Sequence, residues 1–465
     1  LIGLCIFGIR GRTGYNPIKV SAAYFCQDAF LNQLGVSPTF NLLTSVMDDM
    51  RPENKYLHLM DEQEAITKAQ ALLNRQGDAN VSPLAVYRHA AKADSVQQRR
   101  PNVVLIMMES MSSKLMKHFG QSETLTPFLD SLYTRSISFR NFYSAGIHTN
   151  HGLYATLYSF PAMMKRNLMK GSVIPRYSGL PTVLKENGYY NLFFMTHEGQ
   201  YDNMNAFFRT NGYDEVFSQE DYPADKVVNS FGVQDDFLYD YAIPVLNQRA
   251  ATGQPFFATL LSISNHPPYV IPPFFHPKTS EPEMQIVEYA DWALRQFFEE
   301  ARKQPWFDNT IFVLEGDHGK LVGDAECELP ESYNHIPLMI YSSRIHPEEK
   351  NTFGGQVDIQ PTILGLLNID YLQNNFGVDL LKEERPCMFY TADNMVVGRN
   401  DTLLYLYNYE TQQELTYDIG NGKLNAVPMD DSFLPLKEYS FSMLQSAEFL
   451  VKHGKTVNSV PFTQQ

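Results

Sequence analysis

The chain has 465 residues, with 37 Lys and Arg against 52 Asp and Glu, giving a formal charge of −15. That balance argues against nucleic acid as the main partner, because a phosphate-binding surface needs a surplus of cations. Hydrophobic residues at 44% and charged residues at 19% exclude a disordered or membrane-saturated chain, and four cysteines without a CxxC pair argue against a structural zinc site or a disulfide scaffold. A single bridge among the four stays open.

The apolar run Leu1–Ile9 stops at Arg10. It is too short to cross a bilayer, which needs roughly 20 residues, and it lacks the basic start and cleavage site of a signal peptide. Two readings stand: a buried N-terminal strand, or the end of a membrane helix whose remainder is missing from this chain. Ala22, Phe25, Ala29, Phe30 and Leu34 then recur at helical spacing up to Gly35. Asp61 with Glu64 opens a further helix through Ile66, Ala69, Leu72 and Leu73, with Gly77 beyond it. Residues 1–100, including the stretch from Gly14 onward, therefore read as a membrane-helix end and a helical connector without visible chemistry.

From Pro101 the texture changes. Val103–Met108 is a continuous apolar run, the mark of a strand buried on both faces, and similar runs follow at Leu192–Met195, Phe256–Ile263, Ile311–Leu314 and Ile336–Tyr341. Helical patterns alternate with them at Pro127–Tyr133, Leu180–Asn187, Asp236–Leu246 and Met284–Arg302. The alternation predicts an α/β fold over residues 101–380, a doubly wound sandwich with a mostly parallel central sheet. Residues 381–465 predict a small α+β appendage, with short strands at Met388–Thr391 and Thr402–Tyr409 and a closing helix near Leu436–Val451.

Ligands of such sheets bind beyond the carboxyl ends of the strands. The residues there are Glu109, Thr196-His197-Glu198-Gly199, Ser264-Asn265-His266-Pro267 and Glu315-Gly316-Asp317-His318-Gly319. Carboxylates and imidazoles are ligands for Zn²⁺, Mn²⁺ and similar ions. Each alone reads equally as a cap or a turn; several at one sheet edge point to a metal. Asp317 and His318 cannot point the same way on a flat strand, but a turn eased by Gly319 lets both reach one ion. Thr149, within Ser144–Gly152, falls at or just before a helix N-terminus, where free N–H groups favour an anion. It reads either as an N-cap or as a hydroxyl nucleophile activated by a cation.

Glu109, Thr149, Asn265-His266-Pro267 and Asp317-His318-Gly319, in this order, resemble the alkaline phosphatase superfamily. More narrowly they resemble its sulfatase-labelled branch of lipoteichoic acid synthase-like phosphoglycerol transferases. The similarity runs from Pro101 to Asn368 and includes the helix Glu288–Phe298 and the segment Gly355–Leu364; Gly11 to Tyr24 looks like the join to a membrane domain. The resemblance implies that Glu109, Thr149, Asp317 and His318 hold one divalent cation, Mn²⁺ first, with Zn²⁺ or Mg²⁺ as alternatives. It implies that Thr149 is the nucleophile, that His266 contacts the phosphate or assists the leaving oxygen, and that His197 contacts substrate. His335, in Asn334–Leu338, reads as a pocket residue or a structural one. The implied reaction moves a phosphoglycerol-type head group from an anionic phospholipid, through Thr149, to a polyol or glycan hydroxyl. The implied location is the bacterial inner membrane, with the catalytic domain on the periplasmic or extracellular side. Two alternatives stay open: an ester hydrolase using water, and a non-catalytic membrane-tethered binding domain.

Three features depart from that pattern. Glu315 stands where a small or hydroxylic residue is usual, and on the same strand face as Asp317 it is expected to add a carboxylate near the metal and substrate. The run Tyr201–Ala206 lacks the Trp and Arg that the lipoteichoic enzymes use for glycerol phosphate. No Cys/Ser-x-Pro-x-Arg signature surrounds Thr149, so no formylglycine can form there.

Overall fold

An eight-stranded sheet forms the centre of the computed structural model, which describes residues 2–12, 17–26, 29–51, 55–73, 87–90, 100–171, 174–420 and 423–458. Its strands are β1 Asn102–Met108, β2 Ile137–Tyr143, β3 Tyr190–Met195, β4 Glu215–Phe217, β5 Phe256–Leu261, β6 Thr310–Gly316, β7 Leu338–Tyr341 and β8 Glu348–Gly355. They lie in the order β4-β3-β5-β1-β6-β7-β2-β8, and every pair is parallel except the two that β7 makes.

Alternation along the strands builds two cores. Val103, Leu105, Met107, Ile311 and Val313 face one side, under the helices Thr149–Tyr158, Leu180–Glu186, Met204–Thr210 and Ile359–Leu366. Val104, Ile106, Met108, Phe312 and Leu314 face the other, under Pro127–Tyr133, Asp235–Ala250 and Pro282–Ala301. Covered on both faces, β1 has no polar side to show, which is why its sequence is an unbroken apolar run. The doubly wound, mostly parallel α/β sandwich is therefore the fold observed.

Several elements differ from the sequence-based expectation. The run from Ile336 yields β7, which is antiparallel to both neighbours. No crossover helix joins β6 to β7, so the chain returns in the opposite direction. The short β4 and the polar edge strand β8 carry no apolar run and were not expected. Near the N-terminus, Ile2–Arg10 is helical, which overturns the strand reading. No helix among the described residues is long and apolar enough to cross a membrane. The stripe from Ala22 to Leu34 does not form one helix: a 3₁₀ turn at Val20–Ala23 and a helix at Ala29–Leu34 replace it. Buried Asn32 explains the break, because its side-chain oxygen accepts from the amides of Phe25 and Cys26, both at 3.1 Å, so these amides are bonded to a side chain and not along a helix. Asp61 caps the helix Glu62–Leu73 through the Glu64 amide at 2.9 Å, as expected; Gly14 and Gly77 lie outside the described residues.

The C-terminal stretch forms a five-stranded antiparallel sheet, running from Met388–Thr391 to Asn425–Ala426, and the helix Leu434–Lys452. It shares the main body's core through Phe389, Val396, Tyr405 and Leu444, and its helix packs along Glu62–Leu73. Cys5, Cys26, Cys327 and Cys387 are all free thiols.

One close approach sets the site's dimensions. Where the helix Thr149–Tyr158 passes over the end of β6, a Cβ added at Gly152 would stand 2.3 Å from the Asp317 carbonyl oxygen and 2.9 Å from Gln356 Nε2. Helix propensity alone makes Gly152→Ala stabilising by about 1 kcal/mol. The contact predicts the reverse, a loss of about 1–3 kcal/mol in urea denaturation. Unchanged or raised stability would contradict the packing.

Candidate metal and phosphoryl-transfer site

The pairing of β1 with β6 sets Met108 opposite Gly316, so Glu109 and Asp317, the next residues in each direction of travel, emerge side by side at one sheet edge. Ser110 joins them. Its backbone is left-handed, at φ 51°, which turns its amide onto Asp317 Oδ1 at 2.8 Å while its hydroxyl donates to Glu109 Oε1 at 2.6 Å. The His318 amide also donates to Asp317 Oδ1, at 2.7 Å. One oxygen of each acid is thereby occupied. Glu109 Oε2 and Asp317 Oδ2 remain, fully buried and with no hydrogen-bond partner among the described residues.

His318 completes the group. Its Nδ1–H donates to the Gly319 carbonyl at 2.7 Å, which leaves Nε2 as the nitrogen that can ligate a metal. That nitrogen lies 3.6 Å from Asp317 Oδ2 and 3.8 Å from Glu109 Oε1. Donor atoms from Glu109, Asp317 and His318 fall within 4.8 Å of one another. Two buried acids, each with an unsatisfied oxygen, are costly without a compensating charge. Oxygen and imidazole donors suit a divalent cation of the Mn²⁺ or Zn²⁺ type, and these residues fit one.

Thr149 is the first residue of its helix, after His148 at the N-cap, and is half-buried. Its hydroxyl lies within electrostatic reach of the Glu109 carboxyl. Burial, and then the charge of Asp317, push the Glu109 pKa well above the ordinary carboxylate value. His197 and His266 show the same tautomer as His318, with Nδ1–H donating to a neighbouring carbonyl: Glu198 at 3.2 Å and Pro267 at 2.6 Å. Each ring thus has Nδ1 engaged by its own backbone, leaving Nε2 for other partners. Burial lowers the His197 pKa, keeping that ring neutral.

Two expected residues go elsewhere. Glu315 does share the strand face of Asp317, but its Oε1 accepts from Thr156 Oγ1 at 2.6 Å, beneath the Thr149 helix, and it is not part of the converging donor group. His335 donates from Nε2 to the Arg140 carbonyl at 2.8 Å and stacks on Tyr143, at the end of β2. The structure does not bring it to the Glu109 cluster.

The sequence reading assigned no role to several residues that support the site. Gln356 donates to the carbonyls of Gly316 at 3.1 Å and Asp317 at 2.8 Å while accepting from the Ala145 amide at 2.9 Å. It ties the Asp317 turn to the segment that leads into Thr149. Asn265 donates to the carbonyls of Glu109 and Ser110, each at 3.1 Å. His151, wholly buried two residues after Thr149, has its pKa pushed well down by burial and then by His148 and His318.

Known proteins resemble the chain in sequence and in fold. Residues 101–369 match the family model described as Sulfatase. Lipoteichoic acid synthase 1 of Bacillus subtilis (strain 168) is 25% identical over 350 residues, covering 69% of this chain and 53% of that protein. The chain thus spans about half the length of the curated relatives it matches. A protein in the alkaline phosphatase superfamily from Vibrio parahaemolyticus superposes with a TM-score of 0.77 at 25% identity, covering 88% of this chain and 100% of that one. The lipoteichoic acid synthase LtaP from Listeria monocytogenes shares the fold, with a TM-score of 0.67 at 19% identity over 84% of this chain and 98% of that one.

The buried acids imply a pH signature. Burial also raises Glu315 well above its ordinary value, and lifts Asp235 to about 6 and Asp291 to about 7. The unfolded chain ionises all these groups at ordinary values, so the fold binds more protons and stability falls as pH rises above them; the shares of Asp235 and Asp291 are lost by about pH 6 and 7. A bound cation favours ionised Glu109 and offsets its share. Metal-free protein should therefore melt lower at about pH 8 than at about pH 5, and Mn²⁺ should raise the melting temperature more at the higher pH. Equal increments at both would contradict the cluster as the metal site.

Proposed function

The chain belongs to the sulfatase family, in the alkaline phosphatase superfamily, and on that premise we propose that it transfers a phosphoglycerol-type head group from an anionic phospholipid to a hydroxyl acceptor through a covalent intermediate on Thr149. What carries this reading is the convergence of metal-ligating atoms from Glu109, Asp317 and His318 beside a hydroxyl at a helix N-terminus. The lipoteichoic acid synthases among its relatives favour transfer as the outcome.

Glu109, Asp317, His318 and Thr149 would hold a divalent cation, Mn²⁺ as first choice, and when bound it would serve as a Lewis acid that lowers the hydroxyl pKa and neutralises phosphate charge. In the first step the Thr149 oxygen forms a bond to phosphorus as the bond to the lipid alcohol breaks. In the second, an acceptor hydroxyl displaces Thr149 from the same phosphorus. The helix N-terminus at Thr149 stabilises charge on the non-bridging oxygens. His266, its Nδ1 bonded to the Pro267 carbonyl, takes the proton of the entering hydroxyl at Nε2 and returns one to the departing oxygen. His197 contacts the head group from a buried, neutral ring. Such a donor puts the reaction at a membrane surface, on the periplasmic or extracellular side, with a polyol or glycan as acceptor. The surroundings of Thr149 lack a formylglycine signature, which counts against sulfate esters.

Thr149→Ala should lower turnover of phosphatidylglycerol about a thousandfold or more with the melting temperature unchanged, and Thr149→Ser should retain part of it. Full activity in the alanine variant would exclude the assignment. Labelled head group should appear on an added polyol; its release only as free glycerol phosphate would make the chain a hydrolase.

A further inference from the structure

His266 has little polar support for its ring. Its amide donates to the Ile263 carbonyl at 2.9 Å, which fixes the backbone turn. The half-buried imidazole makes one hydrogen bond among the described residues, from Nδ1 to the carbonyl of the next residue, Pro267. An imidazole that exchanges protons with a substrate is commonly oriented by a buried carboxylate on its far nitrogen. Here the second contact is made with the face of the ring. The Phe231 ring lies against it, with centroids 4.0 Å apart and a tilt of 40°. Phe231 in turn meets Tyr201 edge-on at 6.3 Å, and Tyr201 lies 4.6 Å from His197. Four rings thus run in sequence from one site histidine to the other.

The segment that carries Phe231 is clamped to both histidine-bearing loops. The Phe231 amide donates to Asn229 Oδ1 at 2.8 Å. The Gly232 amide donates to the Asn229 carbonyl at 3.1 Å and the Val228 amide to the Gly232 carbonyl at 2.9 Å, which closes a tight turn. Gly232 is left-handed, at φ 93°, and passes so close to the end of β3 that an added Cβ would stand 1.7 Å from the Thr196 carbonyl oxygen. The Val233 amide donates to that same carbonyl at 3.2 Å, one residue before His197. On the other side, Gln234 donates to the Val270 carbonyl at 2.9 Å and accepts from the Ser264 hydroxyl at 3.0 Å. Asp235 accepts from the amides of Ile263 at 2.9 Å and Ser264 at 3.0 Å. Residues 229–235 therefore set where the Phe231 ring stands relative to the turn that carries His266. A flat ring in a fixed place limits rotation of the imidazole about its side-chain bonds and keeps water off one face. Such orientation matters to rate, because a misplacement of about 1 Å can cost about a hundredfold.

We propose that Phe231 is a positioning residue for His266, holding the imidazole by its face so that Nε2 meets the entering and departing oxygens. The inference rests on the reading of His266 as the proton-transfer group, and its test separates the two. Turnover of phosphatidylglycerol by the full chain with Mn²⁺ reads the effect. Phe231→Leu keeps the apolar volume and removes the flat ring, so kcat should fall about tenfold with KM unchanged. Phe231→Tyr keeps the ring and should retain the wild-type kcat. Added to His266→Ala, Phe231→Leu should cost nothing further. Bis(p-nitrophenyl) phosphate supplies a readout that a merely structural role would move. Its p-nitrophenolate departs without a proton, so first-turnover release by Phe231→Leu should match wild type. Equal losses on both esters, unchanged phosphatidylglycerol turnover in Phe231→Leu, or a further loss on top of His266→Ala would overturn the assignment. Full turnover in His266→Ala would overturn the proton-transfer role together with it. A loss in His266→Ala with none in Phe231→Leu would remove the positioning role alone.

Discussion

Two carboxyl groups forced together in a buried place govern this structure. The parallel register of β1 and β6 leaves no alternative: once Met108 faces Gly316, Glu109 and Asp317 leave the sheet at one point. Each spends one oxygen on the Ser110 turn and keeps one unpaired. An arrangement so unfavourable by itself persists only where the surrounding fold over-determines it. Asn265 and Gln356 supply that determination, by holding the backbone carbonyls of the Glu109 and Asp317 turns in place. The helix carrying Thr149 closes over the same point, with Gly152 against the Asp317 carbonyl and Thr156 bonded to Glu315.

The same economy appears in the electrostatics. A net charge of −15 offers no general attraction for an anionic substrate. Near Thr149 the cations sit in ion pairs, Arg12 with Glu198 and Lys170 with Asp202, which also accepts from Asn150. The connector is fastened to the main body at Tyr24, whose carbonyl accepts from Asn205.

Much of this was legible in the sequence, for a physical reason. A strand buried on both faces must be apolar throughout, so β1, β3, β5 and β6 declare themselves, and acids or histidines at their ends stand out against that background. What stayed hidden lacks a period or a charge. Asn265 and Gln356 hold backbone groups through neutral side chains, Ser110 turns its amide and hydroxyl onto the two acids, and such residues occur everywhere on protein surfaces. Strand periodicity gave the right face for Glu315 but not its partner, since Thr156 arrives from a helix whose position the strand does not encode. The apolar stripe from Ala22 to Leu34 misled because one buried side chain, Asn32, took up the amides that a helix would have used.

The central claim, that the Thr149 oxygen carries the transferred group, is tested most directly by trapping it. Protein loaded with Mn²⁺ and phosphatidylglycerol, quenched in acid during turnover and digested, should yield a peptide containing Thr149 heavier by one phosphoglycerol unit, and Thr149→Ala should yield none. Turnover that proceeds with no adduct at Thr149, or with the adduct on another residue, would contradict the account.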